Sequence, residues 1–349
     1  MVKFIAVGVF PPPYTGQSVA FQKFYNEFLS SNACFYDVSG ISVLPYKLAK
    51  LFKYLYLFPM MIFHRREKLY YTLNSGSGLY LDLFFLLYCK MLGVDVILHH
   101  HSYGYINKHS QIVQRISEAL SKDVMIFLSP KMRDDFNRVY GFQGASFTLN
   151  NIFQYDMSEY GVDEKYSDTT SLKIGFISNL AIEKGLDIVC RLVEELSSKN
   201  LNVKVVLAGP FADAEAKNRF EMIPEGAQGY VDYIGPVYGD DKSAFFENLD
   251  LFVFPTLYEN EAQPMVLVEA LQYGVPAIST DRGAISDLLG PDFPTVEADG
   301  FIGVVLDSVD SMLASDVHRT ALTKKAYSRF RELKEISSNE VDAIKRLLK

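Results

Sequence analysis

Residues 250–289 read DLFVFPTLYENEAQPMVLVEALQYGVPAISTDRGAISDLL, a complete strand-loop-helix-strand unit of a parallel sheet. The run LFVF closed by Pro255 has the length and composition of a strand buried on both faces. A polar loop follows. Pro264 takes the first position of a helix, where its missing N–H costs nothing. Met265, Val266, Leu267, Val268, Ala270 and Leu271 make that helix too apolar to be anything but packed. Gly274 ends it, Pro276 prevents its continuation, and residues 277–280 begin the next buried strand.

Two carboxylates stand out in this unit. Glu261 lies in the loop at the carboxyl end of the strand, and Glu269 about one and a half turns into the helix. Their eight-residue spacing turns both toward the crevice above the sheet, where open α/β sheets bind ligands. The backbone N–H groups at the helix start, residues 263–266, add a partial positive charge suited to a phosphate. Taken alone, a loop glutamate and a helix-surface glutamate are ordinarily solvated.

The wording around the pair changes that weighting. Glu261 and Glu269, with Pro264, VLVEAL and YGVPAIST, closely resemble the E-x7-E signature of family 4 retaining glycosyltransferases of the GT-B fold. The resemblance implies an α/β chain of two doubly wound, Rossmann-like domains facing a cleft. Residues 1–155 would form the acceptor-side domain, 156–170 the linker and 171–335 the nucleotide-sugar domain, and a final helix at 336–349 would cross back to the first. It also implies retaining, metal-independent transfer of a hexose from a nucleotide sugar to a glycan or lipid-linked acceptor, in bacterial capsule or O-antigen synthesis. The donor is expected to be a UDP-sugar on family frequency, with no further cofactor.

The resemblance carries over residue by residue. Glu269 would accept from the ribose hydroxyls. Gln263, Pro264, Met265 and Val266 would hold the diphosphate at the helix start, and Glu261 the sugar hydroxyls. Residues 235–237, with Gly235 and Val237, stand where the family holds the base against backbone. Lys184 matches a family lysine that reaches the phosphates. Asn179 stands where the family has Arg or Lys, which puts the phosphate grip in doubt. Positive charge is needed there because cleavage leaves a diphosphate anion. A strand ending in His99, His100 and His101 matches one whose last His meets the transferred sugar; His101 fits best, with His99 and His100 as alternatives. Of the family's glycine pair after the first strand only Gly16 remains, and Asn151 stands where Gly is usual.

Composition bounds the rest. The 349 residues allow roughly two domains. A formal net charge of −8 argues against nucleic acid as a partner. Cys34, Cys89 and Cys190 form no CxxC pair, which points to a reducing compartment and no zinc site. Met1 runs directly into a buried strand rather than a leader, and no apolar run reaches the ~18 residues that span a bilayer, so a cytoplasmic location is expected. Residues 44–64, LPYKLAKLFKYLYLFPMMIFH, leave two readings open. One is a core helix with Lys47, Lys50 and Lys53 as a solvated stripe. In the other, residues 44–68 make a peripheral contact on the inner face of the membrane, aromatics inserted and lysines toward anionic headgroups.

Further expectations concern the remaining chain. Ser18 would cap the first helix, and the tail would form two helical segments, one at 321–333 and one capped by Ser338. Asp240 and Asp241 are adjacent rather than spaced as a metal-binding DxD, and read as a helix or loop cap. Two rival functions stay open: a nucleotide-sugar epimerase sharing the GT-B architecture, and a non-catalytic nucleotide-sugar-binding subunit, motivated by Asn179 and the reduced glycine loop.

Overall fold

The computed structural model describes residues 3–12, 15–39, 46–157 and 171–349. The chain divides into two compact units. The first comprises Met1–Tyr155, Asn260–Gln263 and Ile336–Lys349; the second comprises Asp156–Glu259 and Pro264–Glu335. Residues 158–170, most of the expected linker, lie outside the described residues.

The first unit is built on β1 (Phe4–Gly8), β2 (Ala33–Asp37), β3 (Lys68–Thr72), β4 (Val96–His99), β5 (Val124–Phe127) and β6 (Ala145–Thr148), all parallel, in the order β2-β1-β3-β4-β5-β6. The second is built on β7 (Leu172–Ile177), β8 (Val203–Ala208), β9 (Val231–Gly235), β10 (Leu251–Phe254), β11 (Ala277–Thr280) and β12 (Thr295–Val296), again parallel, in the order β12-β11-β10-β7-β8-β9. Helices on both faces bury the central strands, so VILH, LFVF and AIST are buried throughout. This is the doubly wound α/β architecture that the alternation of elements predicts.

Strand order locates the crevices. In the second sheet the chain steps outward from β7 through β8 to β9, then returns to β10 on the other side and proceeds to β12. The reversal lies between β7 and β10, and loops leaving their carboxyl ends part to form a crevice. The first sheet reverses in the same way between β1 and β3.

Several expectations are corrected. The edge strand β2, ACFYD, which no expectation above covers, has no fully buried residue along its length. Thr15 rather than Ser18 caps the first helix, Gly16–Phe24; Ser18 is the reciprocal member of a capping box. The tail is one helix, Asp316–Leu347, not two. Ser338 lies in its interior, because Leu333, Ser337, Glu340, Ile344 and Leu348 are buried at successive helical turns and that packing outweighs a local capping preference. Its last turns join the first unit: Ile344 and Leu348 pack in the core cluster with Phe4, Phe24 and Ile97. Residues 260–263 also belong to the first unit, not to the second as their place in the chain suggests.

The expected lysine stripe is corrected as well. In the helix Tyr46–Phe63, Lys50 is buried and donates to Asn74 Oδ1, and Lys53 pairs with Asp37 at 3.0 Å. Lys47 lies outside the described side chains. Among the described residues no helix is long and apolar enough to cross a membrane.

Candidate functional site

In the second unit, the loops leaving β7, β8, β9 and β10 are tied together. After β7 a turn of 3-10 helix, Ile182–Lys184, leads through Gly185 into the helix Leu186–Ser198. Gly185 has φ 90°, and a Cβ there would stand 2.1 Å from the carbonyl oxygen of Pro255, so only glycine lets this loop approach the end of β10. Leu257 N–H donates to the Glu183 carbonyl at 2.9 Å, and the Lys184 Nζ lies 4.0 Å from the ring centroid of Tyr258. Lys184 is therefore placed at the topological switch point, its ammonium over an aromatic face.

Gly209, at the end of β8, has φ 117° and approaches the Ser178 carbonyl so closely that a Cβ would sit 1.8 Å from it. Its N–H donates to the Gly235 carbonyl at 2.8 Å, and its carbonyl accepts from Tyr233 Oη at 3.0 Å. Asn179 is exposed beside Ser178, and Val237 is half-buried just past β9. Nothing lies within 4 Å of where a Cβ of Gly235 would be, so that backbone is open.

Glu269 sits just over one turn into the helix Met265–Gln272, whose N-cap is Pro264 and whose first turn no side chain caps. The first N–H groups, at Met265 and Val266, keep the anion-binding character of a helix start. The Glu269 carboxylate is 14% exposed and pairs with Lys242 Nζ at 2.7 Å. Lys242 comes from Gly239–Glu247, the helix after β9, whose first turn holds Asp240 and Asp241 as helix-terminal acids. Sequence reasoning missed Lys242. Its signal was its rarity, since residues 211–260 hold only three basic side chains against ten acidic ones.

In the first unit, the loop bearing Glu261 is clamped from both sides. The Asn260 carbonyl accepts from Tyr103 N–H at 3.3 Å, and Gly104 leaves room for the Asn260 side chain, whose Oδ1 a Cβ there would meet at 1.7 Å. Gln263 is buried; its Oε1 accepts from Asn151 N–H at 2.6 Å and its carbonyl from Asn151 Nδ2 at 3.1 Å. Asn151, where the resembling family has Gly, is thus the partner of Gln263, and the Gln263 side chain is spent on this contact. Glu261 lies half-exposed between the two anchors.

The three histidines are distinguished by their partners. His99 Nδ1 meets Tyr70 Oη at 2.8 Å, and His100 Nδ1 meets Tyr105 Oη at 3.0 Å with its ring stacked on Phe127. His101 lies past the end of β4, half-open, its ring centroid 4.1 Å from that of His99, with Nε2 shielded from solvent and lacking a hydrogen-bond partner among the described residues. The Nε2 atoms of His99 and His100 are shielded and lack a partner among the described residues in the same way; His101 differs in lying past the strand end and being only half-buried. Burial holds all three neutral: His99 is pushed well below the usual imidazole range, His100 to about 3 and His101 to about 4. Gly16 is exposed at the first position of its helix, with open space around it.

Solved structures show the class to which this architecture belongs. The fold is GT-B: sucrose-phosphate synthase of Thermosynechococcus elongatus superposes with a TM-score of 0.74 at 13% identity, covering 99% of each chain. Anabaena HepE, solved with UDP-glucose, superposes with a TM-score of 0.67 at 15% identity, covering 99% of this chain and 98% of the other. Residues 163–330 match the family Glycosyl transferases group 1. The chain is 22% identical over 210 residues to the capsular polysaccharide biosynthesis glycosyltransferase CapM of Staphylococcus aureus, which spans 59% of this chain and 53% of that protein. It is 31% identical over 137 residues to a GDP-mannose-dependent alpha-mannosyltransferase of Corynebacterium glutamicum, spanning 39% of this chain and 28% of that protein. The chain thus spans about half or less of these two curated relatives. Apart from residues 260–263, the family match falls within the second unit, which carries Lys184 and Glu269.

Proposed function

We propose that the protein is a retaining glycosyltransferase that moves a hexose from a nucleotide sugar, a UDP-sugar in the first instance, to a glycan or lipid-linked saccharide in bacterial surface-polysaccharide synthesis. The observation that carries this reading is the convergence of Lys184, the uncapped start of Met265–Gln272 and the Glu269 carboxylate on the loops and helices at the carboxyl ends of β7 and β10. A cation, a helix start and an anchored carboxylate match a diphosphate and a ribose. The full-length likeness to HepE supports UDP as the nucleotide, and the likeness to CapM supports a surface polysaccharide as the product.

In this reading Lys184 and the N–H groups of Met265 and Val266 hold the diphosphate, and Glu269, oriented by Lys242, accepts from the ribose hydroxyls. The backbone at Gly235 and Val237 meets the base. Glu261 and His101 are assigned to the hydroxyls of the transferred sugar, with neutral His101 offering Nε2 to an uncharged partner. The bond from the anomeric carbon to the diphosphate breaks as the bond to the acceptor oxygen forms on the same face. The acceptor proton passes to the departing diphosphate, whose negative charge Lys184 offsets. No metal is assigned a part. A peripheral membrane contact through residues 44–68 fits a lipid-linked acceptor.

The test is incubation of the purified protein with a panel of nucleotide sugars and lipid-linked saccharides, reading nucleotide release and the anomeric configuration of the product by NMR. Transfer with retention from one donor is the expected result. Inversion of configuration, or epimerised free nucleotide sugar in place of a transferred product, would overturn the reading.

A further inference from the structure

The helix Tyr46–Phe63 is apolar on both faces, burying Leu57, Met60 and Met61 inward. Its inward face carries Lys50 and Tyr54 into a buried polar network: Lys50 donates to Asn74, Tyr54 meets Tyr71, Tyr71 donates to Asp82 at 2.6 Å, and Asn74 N–H donates to the same carboxylate at 2.8 Å. Its outward face shows Leu51, Phe52, Leu55, Tyr56, Ile62 and Phe63, the last 84% exposed. At 100° per residue these six lie within an arc of about 140°, and every exposed side chain from Leu51 to Phe63 is aliphatic or aromatic.

The neighbouring helix Gly78–Met91 repeats the arrangement. It buries Asp82 in the same network and exposes Tyr80, Phe84, Leu87 and Met91, one stripe at helical spacing, with Met91 also 84% exposed. Phe58 and Tyr88, both half-buried with ring centroids 5.0 Å apart, join the two stripes. A water-facing pair of helices would bear polar side chains on its outer face, and a continuous exposed apolar face of this kind marks a surface that is covered in use.

Charge indicates what covers it. Residues 46–91 hold seven basic side chains and two acidic ones, in a chain of net charge −8, and one of the two acids, Asp82, is buried. Arg65, Arg66 and Lys68 are exposed immediately beyond the helix that ends at Phe63, at the rim of the apolar face. Aromatic and aliphatic side chains in a flat stripe with basic residues at the edge suit the boundary between acyl chains and anionic headgroups.

We propose that the helices Tyr46–Phe63 and Gly78–Met91 together form a two-helix surface that docks on a membrane bearing anionic lipid headgroups. The surface extends beyond the 44–68 stretch by a second helix, and its headgroup contacts come from Arg65 and Arg66 rather than from Lys50, which is buried, and Lys53, which is paired with Asp37. It deepens the reading of a lipid-linked acceptor and rests on that reading only for its purpose. The docking itself requires no sugar chemistry.

The experiment is flotation of the purified full chain with vesicles of phosphatidylcholine, alone or mixed with phosphatidylglycerol, without nucleotide or acceptor. The chain should float with the anionic vesicles, less with neutral ones, and less as salt rises. Phe52→Ser and Phe84→Ser should each weaken flotation and together abolish it, with melting temperatures unchanged because both side chains are exposed. Arg65→Glu with Arg66→Glu should lower the partition coefficient about thirtyfold or more, at roughly a factor of five per basic side chain removed from the surface. Three outcomes overturn the proposal: wild-type protein left in the bottom fraction with anionic lipid, Phe84→Ser floating as wild type does, or a soluble dimer that dissociates on Phe84→Ser while vesicles capture nothing. Nucleotide binding, measured without vesicles, fails or succeeds separately, so loss of the transferase reading and loss of this one are distinguishable.

Discussion

Lys242 Nζ lies 2.7 Å from the carboxylate of Glu269, joining the helix after β9 to the helix after β10. Both side chains are largely shielded, so the pair orients the carboxylate rather than decorating the surface. If Glu269 accepts from ribose, Lys242→Met should weaken nucleotide binding about tenfold, a charge-assisted contact being worth roughly 1.5–3 kcal/mol. In a Glu269→Ala background the same substitution should have little further effect. Isothermal titration of the four members of this cycle reads the coupling directly.

Lys184 is assigned to the diphosphate. Lys184→Ala should lower turnover on the order of a hundredfold, and should weaken UDP binding far more than uridine binding, because the nucleoside lacks the anion. Equal losses for UDP and uridine would move Lys184 away from the phosphates. Asn179→Arg restores the cation at the end of β7 and should raise turnover; absence of turnover in both forms would favour the binding-subunit reading.

Gly185 is where the loop after β7 approaches the end of β10. Gly185→Ala places a Cβ against the Pro255 carbonyl at φ 90° and should destabilise the protein by about 3 kcal/mol, read as a lowered denaturation midpoint. Gly235→Ala, with φ 77° but open space around it, carries the backbone strain alone and should cost less, about 1 kcal/mol.

The histidines set an acid limit. Folded His100 and His101 are held neutral, at about 3 and about 4, against ~6.5 in an unfolded chain. Above pH 6.5 both states are uncharged and nothing is lost. As pH falls below 6.5 the unfolded chain takes up protons that the folded chain refuses, and each such group lowers stability by about 1.4 kcal/mol per pH unit until its folded value is reached. His99 shifts in the same direction. Melting temperature should therefore fall from pH 6.5 toward pH 4, and His100→Phe, which preserves the stack on Phe127, should flatten that slope.

Much of this was legible in residues 250–289, because a strand buried on both faces and a helix bounded by Pro264 and Gly274 are set by local composition and backbone chemistry. The elements that escaped are those decided by partners distant in sequence. β2 is an edge strand with no buried run. The long tail helix passes through Ser338 because its buried stripe continues. Asn260 and Gln263 belong to the first unit through contacts with Tyr103 and Asn151, separated from them by more than a hundred residues. Lys50 and Lys53 read as a solvated stripe until Asn74 and Asp37 are seen beside them. Of the candidate site, Lys184, Glu261 and Glu269 stand out in the sequence by residue type and spacing, whereas the Lys242 pairing with Glu269 and the separate partners of His99 and His100 depend on contacts that periodicity does not encode.

The central claim is a nucleotide-sugar site formed by Glu269, Lys184 and the start of the helix Met265–Gln272. Its most direct test is a thermal-shift titration of wild-type protein and the Glu269→Ala variant against UDP, GDP, ADP and CMP with their common sugar conjugates. Stabilisation grows with ligand concentration over its dissociation constant and should reach several degrees at saturation. We expect one nucleotide family, UDP, to raise the melting temperature of the wild type and to lose that effect in Glu269→Ala. No shift with any nucleotide, or an equal shift in both proteins, would contradict the site as assigned.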